Sequence, residues 1–122
     1  GLANALGLTD GTGAVTRDET LANCRTIAAA VDIPVTADLE NGYAHEPAAA
    51  ATVVRDAASA GMVGGSIEDA TGDSGRPIYE FTLAVERVAA AVEAARSLPF
   101  PFTLTARAEN LLHRAAGLDD TV

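Results

Sequence analysis

Pro34-Val-Thr-Ala-Asp38-Leu-Glu40 is a short, mostly apolar run that ends in charge, and the same design returns twice further along the chain. Gly64-Gly-Ser-Ile-Glu68-Asp69 and Phe102-Thr-Leu-Thr-Ala-Arg107-Ala-Glu109 also pass from small or apolar residues into charged ones at their C-terminal ends. One helical pattern separates each run from the next. Strands joined by helices in this way lie parallel, so their C-terminal ends point to one side. Asp38, Glu40, Glu68 and Arg107 are therefore expected at a common mouth, and three acids with one arginine suit a metal site beside an anion anchor.

Working outward, Thr16 followed by Glu19 spells a capping box, and Leu21, Cys24, Ala28 and Val31 follow at helical spacing, which predicts a helix ending near Asp32. Ile33-Pro34 leads into the first strand, which Gly42 closes. Pro47 suits the first position of a second helix running to Ala60, with Gly61 as its stop and Val53, Val54, Ala57 and Ala60 as its buried stripe. The second strand, Met62 to Glu68, precedes a loop rich in Gly, Asp and Ser from Thr71 to Pro77. A third helix is predicted from Thr82 to Ser97, with Val85, Val88, Val92 and Ala95 facing inward and Glu93 and Arg96 paired outside. Pro99 and Pro101 break that helix before the third strand.

A chain of 122 residues, 48% hydrophobic and of formal net charge −9, is one domain able to bury a core. It has no stretch of roughly 18 uncharged apolar residues, the length of a membrane span. Nor does it begin with a basic region followed by an apolar one, so a cytoplasmic protein is expected. Acids spread along the chain argue against nucleic-acid or anionic-membrane partners, which need basic patches, and favour a small-molecule ligand. The single cysteine, Cys24, excludes an internal disulfide and a cysteine-rich zinc site, and its place in a helical pattern makes it core. Every basic residue is an arginine, so a lysine Schiff base or lysine general base is ruled out for this chain.

Both ends read as cut. Leu118-Asp-Asp-Thr-Val122 resembles a helix start without its helix, and Gly1-Leu-Ala-Asn begins in what reads as a loop. Three parallel strands would leave two open edges, whereas parallel sheets are normally covered. The expected architecture is α/β, with residues 1–122 forming one partial domain, a piece of a larger barrel.

The ordered set Asp38-Leu-Glu40-Asn-Gly42-Tyr43, Glu68-Asp69 and Ala106-Arg107-Ala-Glu109 resembles the isocitrate lyase and phosphoenolpyruvate mutase superfamily. Members of that superfamily carry Asp-x-Asp-x-Gly-Tyr, Glu-Asp and Ala-Arg-x-Glu/Asp after successive strands. The resemblance covers essentially the whole chain and implies a (β/α)8 TIM barrel, of which this chain would supply about the third to fifth units. It also implies cleavage or formation of C–C or P–C bonds of a small α-keto acid or phosphonate through an enolate-like intermediate, in a homo-oligomeric enzyme. Gly1-Leu-Ala through Gly7-Leu-Thr-Asp resembles the loop that cradles the substrate's acidic group, which implies a substrate-binding role for Gly1. The loop departs from the pattern: lyases acting on isocitrate carry Lys-(Lys/Arg)-Cys-Gly-His soon after Glu-Asp, whereas this chain reads Ala70-Thr-Gly-Asp-Ser-Gly-Arg76-Pro-Ile-Tyr79. A mutase-like branch is implied, its acid-base residue to be drawn from Asp73, Ser74, Arg76 or Tyr79 on a lid.

The residues themselves are compatible with that chemistry. Asp38 and Glu40, two apart in a strand, share one face, and Glu68 arrives at the neighbouring strand end. Carboxylates with room for waters suit Mg²⁺ or Mn²⁺, which would stabilise enolate charge. Arg107, with Thr103 and Thr105 on its face, offers a planar fork to a carboxylate or phosphonate and is the catalytic and substrate-binding candidate. Each assignment has a structural alternative. Asp38, Glu40 and Glu68 could cap helices or face water, and Arg107 could serve only as the ion-pair partner of Glu68. Tyr43 either lines the pocket, binding substrate, or packs under a helix. Asp69 reads as a structural contact, His45 as a loop or cap residue, and His113 has no assigned role. The Thr71 to Pro77 run is either a lid or a solvated loop. The competing class of function is a non-catalytic fragment or degenerate barrel segment.

Overall fold

The computed structural model describes residues 2–9, 13–113 and 117–121. Helix α1 (Leu2–Ala5) and helix α2 (Arg17–Ala30) precede strand β1 (Thr36–Asp38), helix α3 (Pro47–Ser59), strand β2 (Gly64–Glu68), helix α4 (Phe81–Arg96) and strand β3 (Thr103–Arg107), with a 3₁₀ turn at Leu118–Asp120. The strands form one parallel sheet in the order β1-β2-β3. Sequential neighbours, each reached by crossing back through a helix, are the arrangement of a barrel wall.

Local chemistry accounts for the helix starts. Thr16 closes the predicted capping box at α2: its hydroxyl accepts the Glu19 N–H at 3.2 Å, and the Glu19 carboxylate accepts the Thr16 N–H at 2.8 Å. Pro47 opens α3, and at its end Gly61 adopts φ +97°, a conformation glycine reaches without strain. Glu80 caps α4, accepting the N–H groups of Thr82 at 3.0 Å and Leu83 at 3.3 Å.

The sheet has two unlike faces. Gly65 and Ile67 of β2 turn toward α3 and α4, where Leu39, Val53, Val54, Ala57, Met62, Ala91 and Ala94 form the core. Strand alternation sends Thr36, Asp38, Ser66, Glu68, Thr103, Thr105 and Arg107 to the other face, which no helix covers among the described residues. This polar face corresponds to a barrel interior.

Several sequence expectations need correction. The opening residues 2–5 are helical where a loop was expected. Val85 is 51% exposed and Val31 38% exposed, so neither belongs to an inner stripe. The buried face of α4 is Arg87, Ala91, Ala94 and Ala95, because α4 lies against α3 through small side chains that let the backbones approach. Among the described residues Glu93 and Arg96 form no ion pair. Glu40 does not share a strand face with Asp38: β1 ends at Asp38, and Glu40 sits in a turn at φ +49°.

The central strand needs glycine at position 64. A Cβ there would stand 2.7 Å from the Thr103 carbonyl oxygen and 2.9 Å from the Thr36 side chain. Gly64→Ala must push a neighbouring strand aside, and overpacking of this kind costs about 1 to 3 kcal/mol. The expected result in the full-length protein is a melting temperature several degrees lower; an unchanged melt would show that the strands separate freely.

Candidate active site

The register that pairs Asp38 with Ser66 and Glu68 with Arg107 brings the three strand ends to one edge. There Arg107 holds three acids together. Its Nη1 lies 3.1 Å from Asp38 Oδ2, its Nη2 pairs with Glu68 Oε2, and its Nε lies 3.0 Å from Glu109 Oε1. Asp38 Oδ1 accepts the Glu40 N–H at 3.0 Å and the Ser66 hydroxyl at 3.4 Å. Asp69 takes the structural part expected of it, its carboxylate accepting the Glu109 N–H at 2.8 Å.

Electrostatics follow from this crowding. Burial pushes the Glu68 carboxyl above the usual carboxylate range, with Arg107 opposing the shift and Glu109 and Asp38 adding to it. Burial works to lower the Arg107 guanidinium, but Asp38, Glu68 and Glu109 together outweigh it and raise its pKa.

A cavity of about 1190 Å³ opens over this edge, and Asp38, Glu40, Tyr43, His45, Glu68 and Arg107 are among its walls. Tyr43 lines the cavity, and its hydroxyl donates to Thr20 Oγ1 of α2 at 2.8 Å. Burial, partly offset by that bond, pushes its phenol up to about 12. Gly1 lies outside the described residues.

The acids suit a hard cation in kind, since all offer carboxylate oxygens. They are not gathered around one point: among the described residues no three histidine, cysteine, aspartate or glutamate side chains form a ready metal cage. Charge favours a cation nonetheless. Among the described residues Asp38, Glu40, Glu68, Asp73 and Glu109 line the cavity with Arg17 and Arg107, a formal excess of three negative charges. An anionic ligand entering such a cavity needs added positive charge.

A polar network beside the acids has no counterpart in the motif reading. His45 Nδ1 lies 2.8 Å from the Tyr79 hydroxyl, which Asn41 Nδ2 also meets at 3.3 Å. Arg87, only 2% exposed, reaches from α4 to the carbonyls of Asn41, Ala44, His45 and Glu46. The available signal was Arg87 itself, an arginine one residue from Val88 and two from Val85 in a helix otherwise rich in alanine and valine. The Thr71 to Pro77 loop is ordered by its own bonds, among them Thr71 N–H to the Pro77 carbonyl at 2.9 Å and Gly75 N–H to Asp73 Oδ1 at 2.8 Å.

The family profile described as phosphoenolpyruvate phosphomutase matches residues 1–122. The chain belongs to that family. Among solved structures it is similar to a protein of Burkholderia cenocepacia J2315 that carries a provisional lyase/mutase assignment, with 54% identity, a TM-score of 0.92, and coverage of 98% of this chain and 42% of the other. Oxaloacetate acetylhydrolase, solved with its product oxalate, is 26% identical with a TM-score of 0.84, over 97% of this chain and 40% of the other. Phosphonopyruvate hydrolase, solved with oxalate and Mg²⁺, is 24% identical with a TM-score of 0.83, over 94% and 40%. Among curated proteins there is no match. The chain thus spans about two fifths of the length of these solved structures. Its parallel sheet and flanking helices match part of the TIM-barrel fold of the phosphoenolpyruvate mutase/isocitrate lyase superfamily, as the ordered motifs implied. Neighbours in that superfamily are lyases, mutases and hydrolases, so the family is one of enzymes. Among the described residues no helix is long and apolar enough to cross a membrane.

Glu68 yields a test through pH. A carboxyl held above its ordinary value of 4.5 binds its proton more tightly in the folded than in the unfolded state. The contribution of Glu68 to stability therefore grows as pH falls through the raised value toward 4.5 and is lost as pH rises. Unfolding of wild type and Glu68→Gln, compared between pH 7.5 and the ordinary carboxylate range, should show wild type gaining on the variant as pH falls. A difference that moves the other way would place Glu68 in a net stabilising ion pair.

Proposed function

We propose that the full-length protein is a cytoplasmic, homo-oligomeric enzyme that breaks or forms a C–C or P–C bond of a small α-keto acid or phosphonate through an enolate-like intermediate. Residues 1–122 would form the third to fifth β/α units of its barrel. The observation that carries this reading is the convergence of Arg107, Asp38 and Glu68 on the polar, helix-free face of the sheet, at the mouth of an acidic cavity. Oxalate, found in two of the similar structures, is a planar dianion with the shape of a pyruvate enolate.

In this reading Asp38, Glu40 and Glu68 would hold Mg²⁺ or Mn²⁺, directly or through water. The bound ion supplies positive charge to an enolate oxygen. Arg107 orients the substrate: with Asp38 and Glu68 turned from Nη1 and Nη2 toward a bound ion, its fork would match a carboxylate or phosphonate in two parallel hydrogen bonds. Glu109, fixed by the Asp69 carboxylate, backs the guanidinium from the Nε side. Asp38, anchored at Oδ1 by the Glu40 N–H and the Ser66 hydroxyl, turns Oδ2 to Arg107 at the mouth. Tyr43, its hydroxyl committed to Thr20, gives a ring wall to the substrate pocket.

Calorimetry on the full-length protein should detect oxalate binding with Mg²⁺ or Mn²⁺ present and none after EDTA, and Asp38→Ala should lose the metal-dependent part. Oxalate that binds equally well in EDTA would remove the metal from the proposal. Turnover of oxaloacetate, phosphonopyruvate and alkylmalates, followed by release of pyruvate or other keto acid, would define the substrate. Failure of all of them, together with silent calorimetry, would favour a non-catalytic barrel segment.

Arg107→Lys keeps the charge but loses the fork. As a substrate anchor, Arg107 should cost about two orders of magnitude in kcat/KM when replaced, or about 2.7 kcal/mol of transition-state binding, with little change in Tm. A variant of near-normal efficiency and lowered Tm would assign Arg107 to structure alone.

A further inference from the structure

The network of Asn41, His45, Tyr79 and Arg87 has a definite direction. The Tyr43 backbone N–H can only donate, and it meets Asn41 Oδ1 at 3.0 Å, so the other end of the amide, Nδ2, is the group facing the Tyr79 hydroxyl. Asn41 therefore donates to Tyr79. The phenolic proton then has one acceptor in the network, His45 Nδ1 at 2.8 Å. A neutral imidazole that accepts at Nδ1 carries its proton at Nε2. The ring stands edge-on to Tyr79, at 73° between planes, and His45 is an exposed residue of the cavity wall shared with Asp38, Glu68 and Arg107.

The buried end of this chain is charged. The Arg87 guanidinium lies 4.4 Å from the centre of the Tyr79 ring. Its hydrogen-bond partners are backbone carbonyls, and among the described residues it forms no salt bridge. A fixed cation that forms no salt bridge among those residues, though the Glu46 charge acts on it from nearby, lies over a phenol ring that is only 7% exposed, where its charge favours the phenolate. At rest burial, joined by the Glu46 charge, holds the phenol up in its protonated form, with Arg87 and the Asn41 hydrogen bond working against that shift.

We infer that Tyr79 and His45 form a proton relay into the cavity, with Arg87 as its buried counter-charge and Asn41 as its orienting donor. The inference rests on the enolate reading above and supplies the acid that reading lacks. The bond beside the carbonyl breaks and its electron pair becomes the enolate. The enolate carbon takes the proton from His45 Nε2, His45 Nδ1 takes the phenolic proton of Tyr79, and the negative charge comes to rest as phenolate between Arg87 and the Asn41 amide. After the keto acid leaves, a solvent proton reaches His45 Nε2 and Nδ1 returns its proton to the Tyr79 phenolate, so the enzyme ends as it began. His45 touches the reacting carbon in this scheme; Tyr79, Asn41 and Arg87 are positioning residues that act through it.

Long-range proton-nitrogen NMR of the full-length protein, with the ring signals lost in His45→Gln giving the assignment, should report His45 with its proton on Nε2 and a bare Nδ1. A proton on Nδ1 would overturn the relay whatever the enzyme's substrate. Deuterium uptake into the methyl group of pyruvate, in D₂O with Mg²⁺, tests the transfer. His45→Gln and Tyr79→Phe should each slow it about 100-fold, the lower end of the range for general acid-base groups. Oxalate affinity by calorimetry should stay within about threefold in both, because neither residue is an anion anchor. His45→Gln alters an exposed ring and serves as the control for any folding defect in Tyr79→Phe. Exchange at the wild-type rate in His45→Gln would overturn the relay while leaving the metal and anion reading standing. So would a wild type that binds oxalate but exchanges nothing. A wild type that binds no oxalate removes the enolate reading, and the relay falls with it.

Discussion

A guanidinium taken out of water keeps its charge, so every N–H it carries must find an oxygen or leave a desolvation cost of several kcal/mol. Arg87 meets that demand by reaching from α4 across to the segment after β1, where it collects the carbonyls of Asn41, Ala44, His45 and Glu46. The consequence is a loop whose backbone is held from below. Glu40 at φ +49° and Tyr43 at φ +66° occupy a region that costs about 1 to 2 kcal/mol for a residue with a Cβ, and such residues persist where neighbours over-determine them. Arg87, together with the Asn41 carboxamide, provides that determination. The same loop presents Glu40, Tyr43 and His45 to the cavity, so a side chain remote from the mouth governs the shape of one of its walls.

The opposite wall is governed by Arg107. Its three acidic neighbours come from three places in the chain, the ends of β1 and β2 and the segment after β3, so one guanidinium ties the edge of the sheet together. Two arginines thus divide the labour. The buried one binds carbonyls and fixes backbone, whereas the half-buried one binds carboxylates and sets the electrostatics of the mouth. Burial raises the Glu68 carboxyl despite its arginine partner, and the like charges of Glu109 and Asp38 add to that rise.

Much of this could be read from the sequence because it depends on short-range periodicity. Strand alternation and helix-sized gaps are enough to bring Asp38, Glu68 and Arg107 together, and the capping box at Thr16 and the stop at Gly61 are local chemistry. What escaped depends on contacts distant in the chain. Glu40 left the face of Asp38 because a left-handed turn ends the alternation after β1. Val85 was assigned inward on hydrophobicity, but α4 meets α3 through Ala91, Ala94 and Ala95, whose small size rather than apolar bulk allows the close approach. Arg87 was invisible as a core residue because a charged side chain on a helix ordinarily faces water, and its carbonyl partners lie more than forty residues earlier. His45 acquired meaning only with Tyr79, thirty-four residues away.

The acidic lining of the cavity bears on the rate of encounter as well as on affinity. Most enzymes acting on anions surround their sites with positive potential, which draws substrate in and loses effect as salt is added. A mouth with a formal excess of three negative charges does the reverse. Such a lining would repel a dianion at long range, and at ionic strengths where the Debye length shrinks to about 8 Å that repulsion is largely screened. On the reading proposed above, this part of the mouth would make salt an accelerant of anion capture, a kinetic signature opposite in sign to ordinary electrostatic steering.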